Sequence, residues 1–162
     1  MGMILDTFDS PLGQIKLCSD GTHLTAVTFA GQKYEEKHIP AYAISGTCPV
    51  LEQTKIWLQE YFAGKNPDSL PPIRLEGTAF QKAVWELLLQ IPYGETVTYG
   101  LLAKRLGCKS AQAVGGAVGR NPISILIPCH RVVGSGGRLT GYAGGIERKQ
   151  WLLALEQAAR NL

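Results

Sequence analysis

Covalent chemistry in this chain points first to Cys129. It stands in Asn121-Pro122-Ile123-Ser124-Ile125-Leu126-Ile127-Pro128-Cys129-His130-Arg131-Val132-Val133, where a thiol, an imidazole and a guanidinium occupy consecutive positions. A thiol attacks as the thiolate, and with a pKa of roughly 8.5 only a few per cent of a free cysteine is ionised at neutral pH. A nearby base or cation raises that fraction, and His130 and Arg131 are the candidates. Side chains adjacent on a strand point to opposite faces. His130 therefore reaches Cys129 only where the backbone turns, or through a bridging water. The same residue types also describe a buried, inert thiol, the common fate of cysteine in a small domain. Residue types alone leave both readings open.

The elements that must hold Cys129 follow from patterning. Ile123 to Ile127 is short, apolar and rich in isoleucine, which reads as a buried extended segment rather than a helix. Pro128 cannot donate to a ladder and ends it. Upstream, Thr78 suits an N-cap, and Phe80, Val84, Trp85, Leu87, Leu88 and Leu89 form the buried stripe of a helix. Ile91-Pro92-Tyr93-Gly94-Glu95 breaks that helix. Thr98 caps the next, which carries Leu101, Leu102, Ala103 and Leu106 and stops at Gly107. After the turn Cys108-Lys109 comes a helix from Ser110 to about Val118, giving a helix-turn-helix pattern. Its residues Ala111-Gln112-Ala113-Val114-Gly115-Gly116-Ala117-Val118 are nearly all small. A major-groove reader presents several Arg, Asn or Gln side chains, and this helix offers Gln112. Such a surface suits close approach to a groove floor with weak sequence reading, or tight helix packing through Gly115-Gly116.

The amino-terminal third reads as strands. Met3–Phe8 is partly apolar, Asp9-Ser10-Pro11-Leu12-Gly13 is a turn, residues 14–19 alternate, Asp20-Gly21 signals a hairpin, and Leu24–Phe29 is β-branched and apolar. Residues 31–49 read as loop and Val50–Phe62 as an amphipathic helix ended by Gly64. Residues 65–77 carry the prolines and glycine of an inter-domain linker. The expected fold is therefore α+β: a small antiparallel-sheet domain with a helix over residues 1–72, then a mostly helical, winged helix-turn-helix-like domain over residues 73–162.

At 162 residues, 45% hydrophobic and 18% charged, the chain has the material for a real core. No apolar run approaches the roughly 20 residues of a membrane span, and no signal-peptide pattern opens the chain. A cytoplasmic location is expected. Cys18, Cys48, Cys108 and Cys129 show no CxxC spacing and should be free thiols there. Cys18 and His23 do not make a metal site, since zinc wants about four ligands. No metal or other cofactor is expected. A net charge of +3 permits nucleic-acid binding without arguing for it.

Ile127-Pro128-Cys129-His130-Arg131-Val132 resembles the active-site motif of the O6-alkylguanine-DNA alkyltransferases, the methylated-DNA–protein-cysteine methyltransferases. The resemblance runs from about Phe80 to Glu156, and Asp9-Ser10-Pro11-Leu12-Gly13 is similar to a turn in that family's amino-terminal domain. It implies a DNA repair reaction on O6-alkylguanine, and on O4-alkylthymine, flipped out of duplex DNA. Cys129 accepts the alkyl group, His130 removes the thiol proton through a water, and Glu156 orients the histidine. Tyr99 donates to the base at N3, and Asn121 braces the turn before Cys129. Gly141-Tyr142-Ala143-Gly144-Gly145 matches a pocket loop, in which Tyr142 stacks on the base and the Ala143 N–H faces O6. Carbonyls of Cys129 and Val132 read the exocyclic amine. The helix with Ser110, Ala111, Gln112, Ala113 and Gly115 enters the minor groove, where base edges are poorly coded and binding is nearly sequence-neutral. Arg131 and Lys149 are expected to be structural or phosphate-facing. Gln112 stands where many relatives place an intercalating arginine, so weaker DNA affinity is expected. The resemblance implies a monomer acting once per molecule.

Three other readings compete. A non-catalytic alkylguanine binder would lack the acceptor cysteine that is present here. A winged-helix transcription factor needs a side-chain-rich recognition helix. A cysteine hydrolase leaves the helix-turn-helix unexplained.

Overall fold

The computed structural model describes residues 2–160, which divide into two units. One runs to Leu75 and also takes in Pro122–Ser124. The other holds Glu76–Asn121 and the chain from Ile125 onward.

The first unit is built on strands β1 (Ile4–Ser10), β2 (Gly13–Ser19) and β3 (Leu24–Phe29), paired antiparallel. Ser10 closes the first hairpin: its Oγ accepts from the Leu12 N–H at 3.0 Å and donates to the Gly13 carbonyl at 2.7 Å. Asp20 closes the second, its carboxylate accepting from the N–H groups of Thr22 and His23 at 2.9 and 2.7 Å. A side chain that mimics a backbone acceptor is what fits Ser and Asp to such turns. Residues 31–49, expected to be loop, contain a short helix α1 (Glu35–His38) and a two-residue strand β4 (Ile44–Ser45). β4 pairs parallel with β1, so the sheet is mixed, in the order β3-β2-β1-β4. Two residues are too few to show a period of two in the sequence. Helix α2 (Pro49–Phe62) buries Leu51, Leu58 and Tyr61.

Part of the expected linker is ordered against β3. The Leu24 N–H donates to the Pro72 carbonyl at 2.7 Å, and the Arg74 N–H donates to the Leu24 carbonyl at 3.0 Å. The Arg74 guanidinium meets Asp20 at 2.9 Å. Pro122–Ser124 lies beside β3 as well: the Val27 N–H donates to Pro122 and the Ser124 N–H to Val27, each at 2.9 Å.

The second unit opens with α3 (Ala79–Leu88). Thr78 and Gln81 form a reciprocal capping box at its start. Val84, Trp85 and Leu88 are buried, whereas Phe80 and Leu89 are 37% and 38% exposed. The expected stripe was too wide: a ten-residue helix packed on one side buries only the i, i+1, i+4 set. The Trp85 Nε1–H donates to the Ala117 carbonyl at 2.8 Å, which fixes α3 on the helix that holds Ala117. The short strand β5 (Val97–Thr98) leads directly into α4 (Tyr99–Arg105), whose N-cap is Thr98. Gly107, at φ +65°, turns the chain toward α5 (Ala111–Gly119), capped by Ser110. Strand β6 (Val132–Val133) pairs parallel with β5, and α6 (Ile146–Arg160) closes the described chain. Among the described residues no helix is long and apolar enough to cross a membrane.

Candidate active site

Three elements converge on Cys129. The β5–β6 ladder pairs Val97 with Val132 and Thr98 with Val133, so the start of α4 and the end of the Cys129 segment are fixed side by side. Tyr99 is the first residue of α4. Inward from α6 come Lys149, Leu152 and Glu156, at i, i+3 and i+7, one face of a helix.

The segment leading to Cys129 is not extended, as patterning suggested. Ile123 makes a single bridge to Val27, and a turn over Ser124–Leu126 follows. Ile125 lies in the left-handed region at φ 71°. A β-branched residue held there costs about 1–3 kcal/mol and persists only where its surroundings dictate it. Ile125 is buried, and so is every residue from Asn121 to Val133. Cys129, His130 and Arg131 then form one turn of 3-10 helix, with the Val132 N–H on the Cys129 carbonyl. The backbone thus turns at the point where a strand would have sent Cys129 and His130 to opposite faces. The Asn121 side chain spans this turn, donating from Nδ2 to the Ile127 carbonyl at 2.8 Å.

Glu156 is the hub of the charged groups. Its carboxylate lies 2.6 Å from His130 Nε2, accepts from Arg131 Nε at 2.8 Å and Nη2 at 3.1 Å, and accepts from the Gly94 N–H at 3.0 Å. Burial would raise its pKa, but His130 and Arg131 outweigh burial and hold it at about 2. Burial lowers the His130 pKa, with Glu156 opposing. Burial thus favours the neutral imidazole of His130 at rest. Burial lifts the Cys129 thiol to about 11, against the pull of the Asn121 side chain and the Lys149 charge. Burial also raises the Tyr99 phenol, keeping it a proton donor at neutral pH.

Of the two alternatives for Arg131, structural or phosphate-facing, the geometry favours the first. The guanidinium is spent inside the protein, on Glu156 and, through Nη1, on the Ile91 carbonyl at 2.8 Å, with the Tyr93 ring 5.5 Å away. At 8% exposure it presents no charge to a phosphate. Lys149 is likewise buried, its Nζ donating to the carbonyls of Thr140 at 2.7 Å and Gly141 at 3.3 Å. It thereby holds the base of the loop carrying Tyr142, Ala143 and Gly144. Gly141 is exposed, Tyr142 and Ala143 are half-buried, and the Gly145 N–H closes a turn onto the Tyr142 carbonyl at 2.9 Å. Sequence reasoning missed Gly94, the Ile91 carbonyl and Thr140 as parts of this network, since backbone groups leave no trace in residue type. It also gave Lys149 no defined place, although a lysine seven residues before Glu156 on the inward stripe was a legible signal.

On α5, Val114, Ala117 and Val118 point inward, while Ala111, Gln112, Ala113 and Gly116 are exposed beside the N-cap Ser110. Gly115 is half-buried beside the Tyr99 ring, where an added Cβ would lie 3.7 Å from it, an ordinary contact. Packing inside the unit therefore does not demand glycine at that position.

Comparison with known proteins agrees with this geometry. Residues 3–76 match the family model described as 6-O-methylguanine DNA methyltransferase, ribonuclease-like domain, and residues 79–158 match that family's DNA binding domain. The chain is 43% identical over 152 residues to the methylated-DNA–protein-cysteine methyltransferase of Haemophilus influenzae, covering 93% of this chain and 84% of that protein. It is 44% identical to the protein of the same name from Methanosarcina acetivorans, covering 92% of this chain and 95% of the other. The crystal structure of Mycobacterium tuberculosis OGT in complex with DNA superimposes with a TM-score of 0.88 at 41% identity, over 96% of this chain and 94% of that one. By its motifs, its fold and these matches, the chain belongs to the methylated-DNA–protein-cysteine methyltransferase family.

Proposed function

We propose that this protein repairs alkylated DNA by moving the alkyl group from O6-alkylguanine, and from O4-alkylthymine, to Cys129. The observation that carries this reading is the buried turn of Cys129 and His130 with Glu156 of α6 against the imidazole, in the same unit as an exposed helix of small residues. The α5 face of Ala111, Gln112, Ala113 and Gly116 enters the minor groove with little sequence preference. The target nucleotide leaves the stack, at a cost of a few kcal/mol. Gln112 fills the gap, and Tyr142, Ala143 and the carbonyls of Cys129 and Val132 receive the base.

In the reaction the Cys129 proton passes through a water to neutral His130, and the imidazolium formed is stabilised by Glu156 at 2.6 Å. The thiolate attacks the alkyl carbon in line. A carbon–sulfur bond forms, the carbon–O6 bond breaks, and its electron pair stays on the guanine. Tyr99 protonates the leaving base at N3. The thioether has no leaving path, so each molecule acts once, as a monomer in the cytoplasm. Duplex DNA with labelled O6-methylguanine tests this. Label should move irreversibly to the protein, to at most one equivalent, and be located on Cys129 by mass spectrometry. Cys129→Ser should bind DNA and take no label; label on Cys18, Cys48 or Cys108, or repeated turnover, overturns the proposal.

A further inference from the structure

The exposed face of α5 is uncharged, with Gln112 as its long polar side chain, and Arg131 is turned inward onto Glu156. Charge is nevertheless segregated along the chain. From Thr96 to Ile146 there is no aspartate or glutamate, while Lys104, Arg105, Lys109, Arg120, Arg131 and Arg138 fall in the same stretch. The whole chain holds 16 Lys and Arg against 13 Asp and Glu, so outside this stretch ten cations face 13 acids. A net charge of +3 thus hides a positive segment and a negative remainder. Such asymmetry is the footprint of a polyanionic partner.

Three of these cations meet at the turn of the helix-turn-helix. Lys104 and Arg105 end α4. The Gly107 N–H on the Lys104 carbonyl at 3.2 Å and the Cys108 N–H on the Ala103 carbonyl at 2.9 Å fold the turn back. Lys109 then precedes Ser110, the N-cap of α5. All three side chains are exposed, and among the described residues none is held by a carboxylate. Helix energetics explain part of this. Cations at the end of α4 complement that helix's dipole, but Lys109 meets the positive end of α5, which has no acid in its first turn to offset it. A surface laid out for stability and solubility alone mixes both signs. Like charges gathered around one turn repel, and an anion brought to them relieves the repulsion. Lys109 stands two residues before Ala111, so this charge borders the exposed face of Ala111, Gln112 and Ala113.

We propose that Lys104, Arg105 and Lys109 form a phosphate-binding footing on the α4–α5 turn, which grips the DNA backbone beside the groove and holds undamaged and alkylated duplex alike. This rests on the reading of α5 as the groove-facing helix. The footing supplies sequence-independent affinity, since phosphate contacts position a protein without reading bases. Preference for the alkylated base is left to the pocket around Cys129.

The experiment is fluorescence anisotropy with the whole protein in the Cys129→Ser background, so that no transfer consumes the lesion. Affinity is measured over a salt series for a duplex with a central O6-methylguanine and for the same duplex unmodified. Replacing all three cations with glutamine should flatten the slope of log K against log salt by about 2.7, at about 0.9 per cation, and weaken binding near ~0.1 M salt on the order of several hundredfold, equally on both duplexes. Single replacements, each expected to remove about 0.9 of slope, serve where the triple variant does not fold. The charge-keeping set Lys104→Arg, Arg105→Lys and Lys109→Arg should retain the parent slope. So should Lys65→Gln, which removes an exposed cation of the first unit. An unchanged slope in the glutamine variants, while the parent binds, overturns the footing and leaves the groove reading standing. A loss confined to the alkylated duplex overturns it by making these side chains readers of the lesion. An equal loss from Lys65→Gln overturns it by reducing the effect to net charge. A parent that binds neither duplex overturns the groove reading itself, and the footing with it.

Discussion

Glu156→Gln removes one charge with little change of shape, and the structure sets the size of its effect. Arg131 would remain buried with its positive charge no longer met by a carboxylate, and the new amide NH2 would face donors from Arg131, Gly94 or His130. Removing one partner of a buried ion pair costs about 3–5 kcal/mol. A second route gives a similar figure: holding the carboxyl at about 2 rather than 4.5 corresponds to roughly 3 kcal/mol, at about 1.4 kcal/mol per pH unit. For a chain of this size that is a fall in Tm of about 6–20 °C. The sign of the pH dependence follows from a depressed carboxyl. Its stabilisation is complete above the unfolded value near 4.5 and is lost as pH falls through the folded value near 2. Wild type should therefore weaken by about 3 kcal/mol across that window, and Glu156→Gln should lack this part of the acid limb. Urea unfolding at a series of pH values measures both quantities. A loss under about 1 kcal/mol at pH 7, the size of an ordinary substitution, would refute the reasoning. So would an acid limb as steep as that of wild type.

Three other perturbations separate the remaining assignments. Arg131→Lys should lower stability by about 1–3 kcal/mol, because the fork to Glu156 is lost; the salt dependence of DNA binding should not change, whereas loss of a phosphate contact would reduce the slope by about one. Gln112→Arg adds a cation to the exposed face of α5 and should tighten duplex binding about tenfold near ~0.1 M salt, with a slope steeper by about 0.9; an unchanged titration would argue against Gln112 meeting DNA. Gly77→Ala would place its Cβ 2.8 Å from the Trp85 ring and 2.7 Å from Gln81 Oε1. Displacing that indole from its bond to Ala117 should cost about 1–3 kcal/mol, read by thermal unfolding.

Local signals were legible where one residue type decides the structure. Thr78, Thr98 and Ser110 are N-caps because a hydroxyl at a helix start replaces a missing backbone acceptor, and Gly107 ends α4 because its turn needs a positive φ. The Cys129–His130 dipeptide, with its geometric condition, was also readable. The pattern failed where packing overrode it. Ile123–Ile127 has the composition of a strand, yet Ile125 is forced left-handed by a buried turn that nothing local favours. Arg131 was left between two readings, structural or phosphate-facing, because a buried or exposed arginine finds an equally good partner in a carboxylate or a phosphate. Glu156, 25 residues further on, decides between them, and sequence distance hides that meeting.

The pairing of Arg131 with Glu156 decides how the site divides its charge. One end of the inward face of α6 presents Glu156, saturated by Arg131 and Gly94, which gives His130 an anion whose position cannot drift. The other end presents Lys149, whose Nζ donates to the Thr140 and Gly141 carbonyls. One helix thus sets a carboxylate against His130 at one end and a lysine at the base of the 141–145 loop at the other. In the proposed reaction, proton transfer from Cys129 to His130 separates charge in a sense that Glu156 favours, because the imidazolium gains a carboxylate 2.6 Å away. Burial keeps the thiol un-ionised at rest, which makes it slow toward stray electrophiles until the pocket is occupied and a base can take its proton.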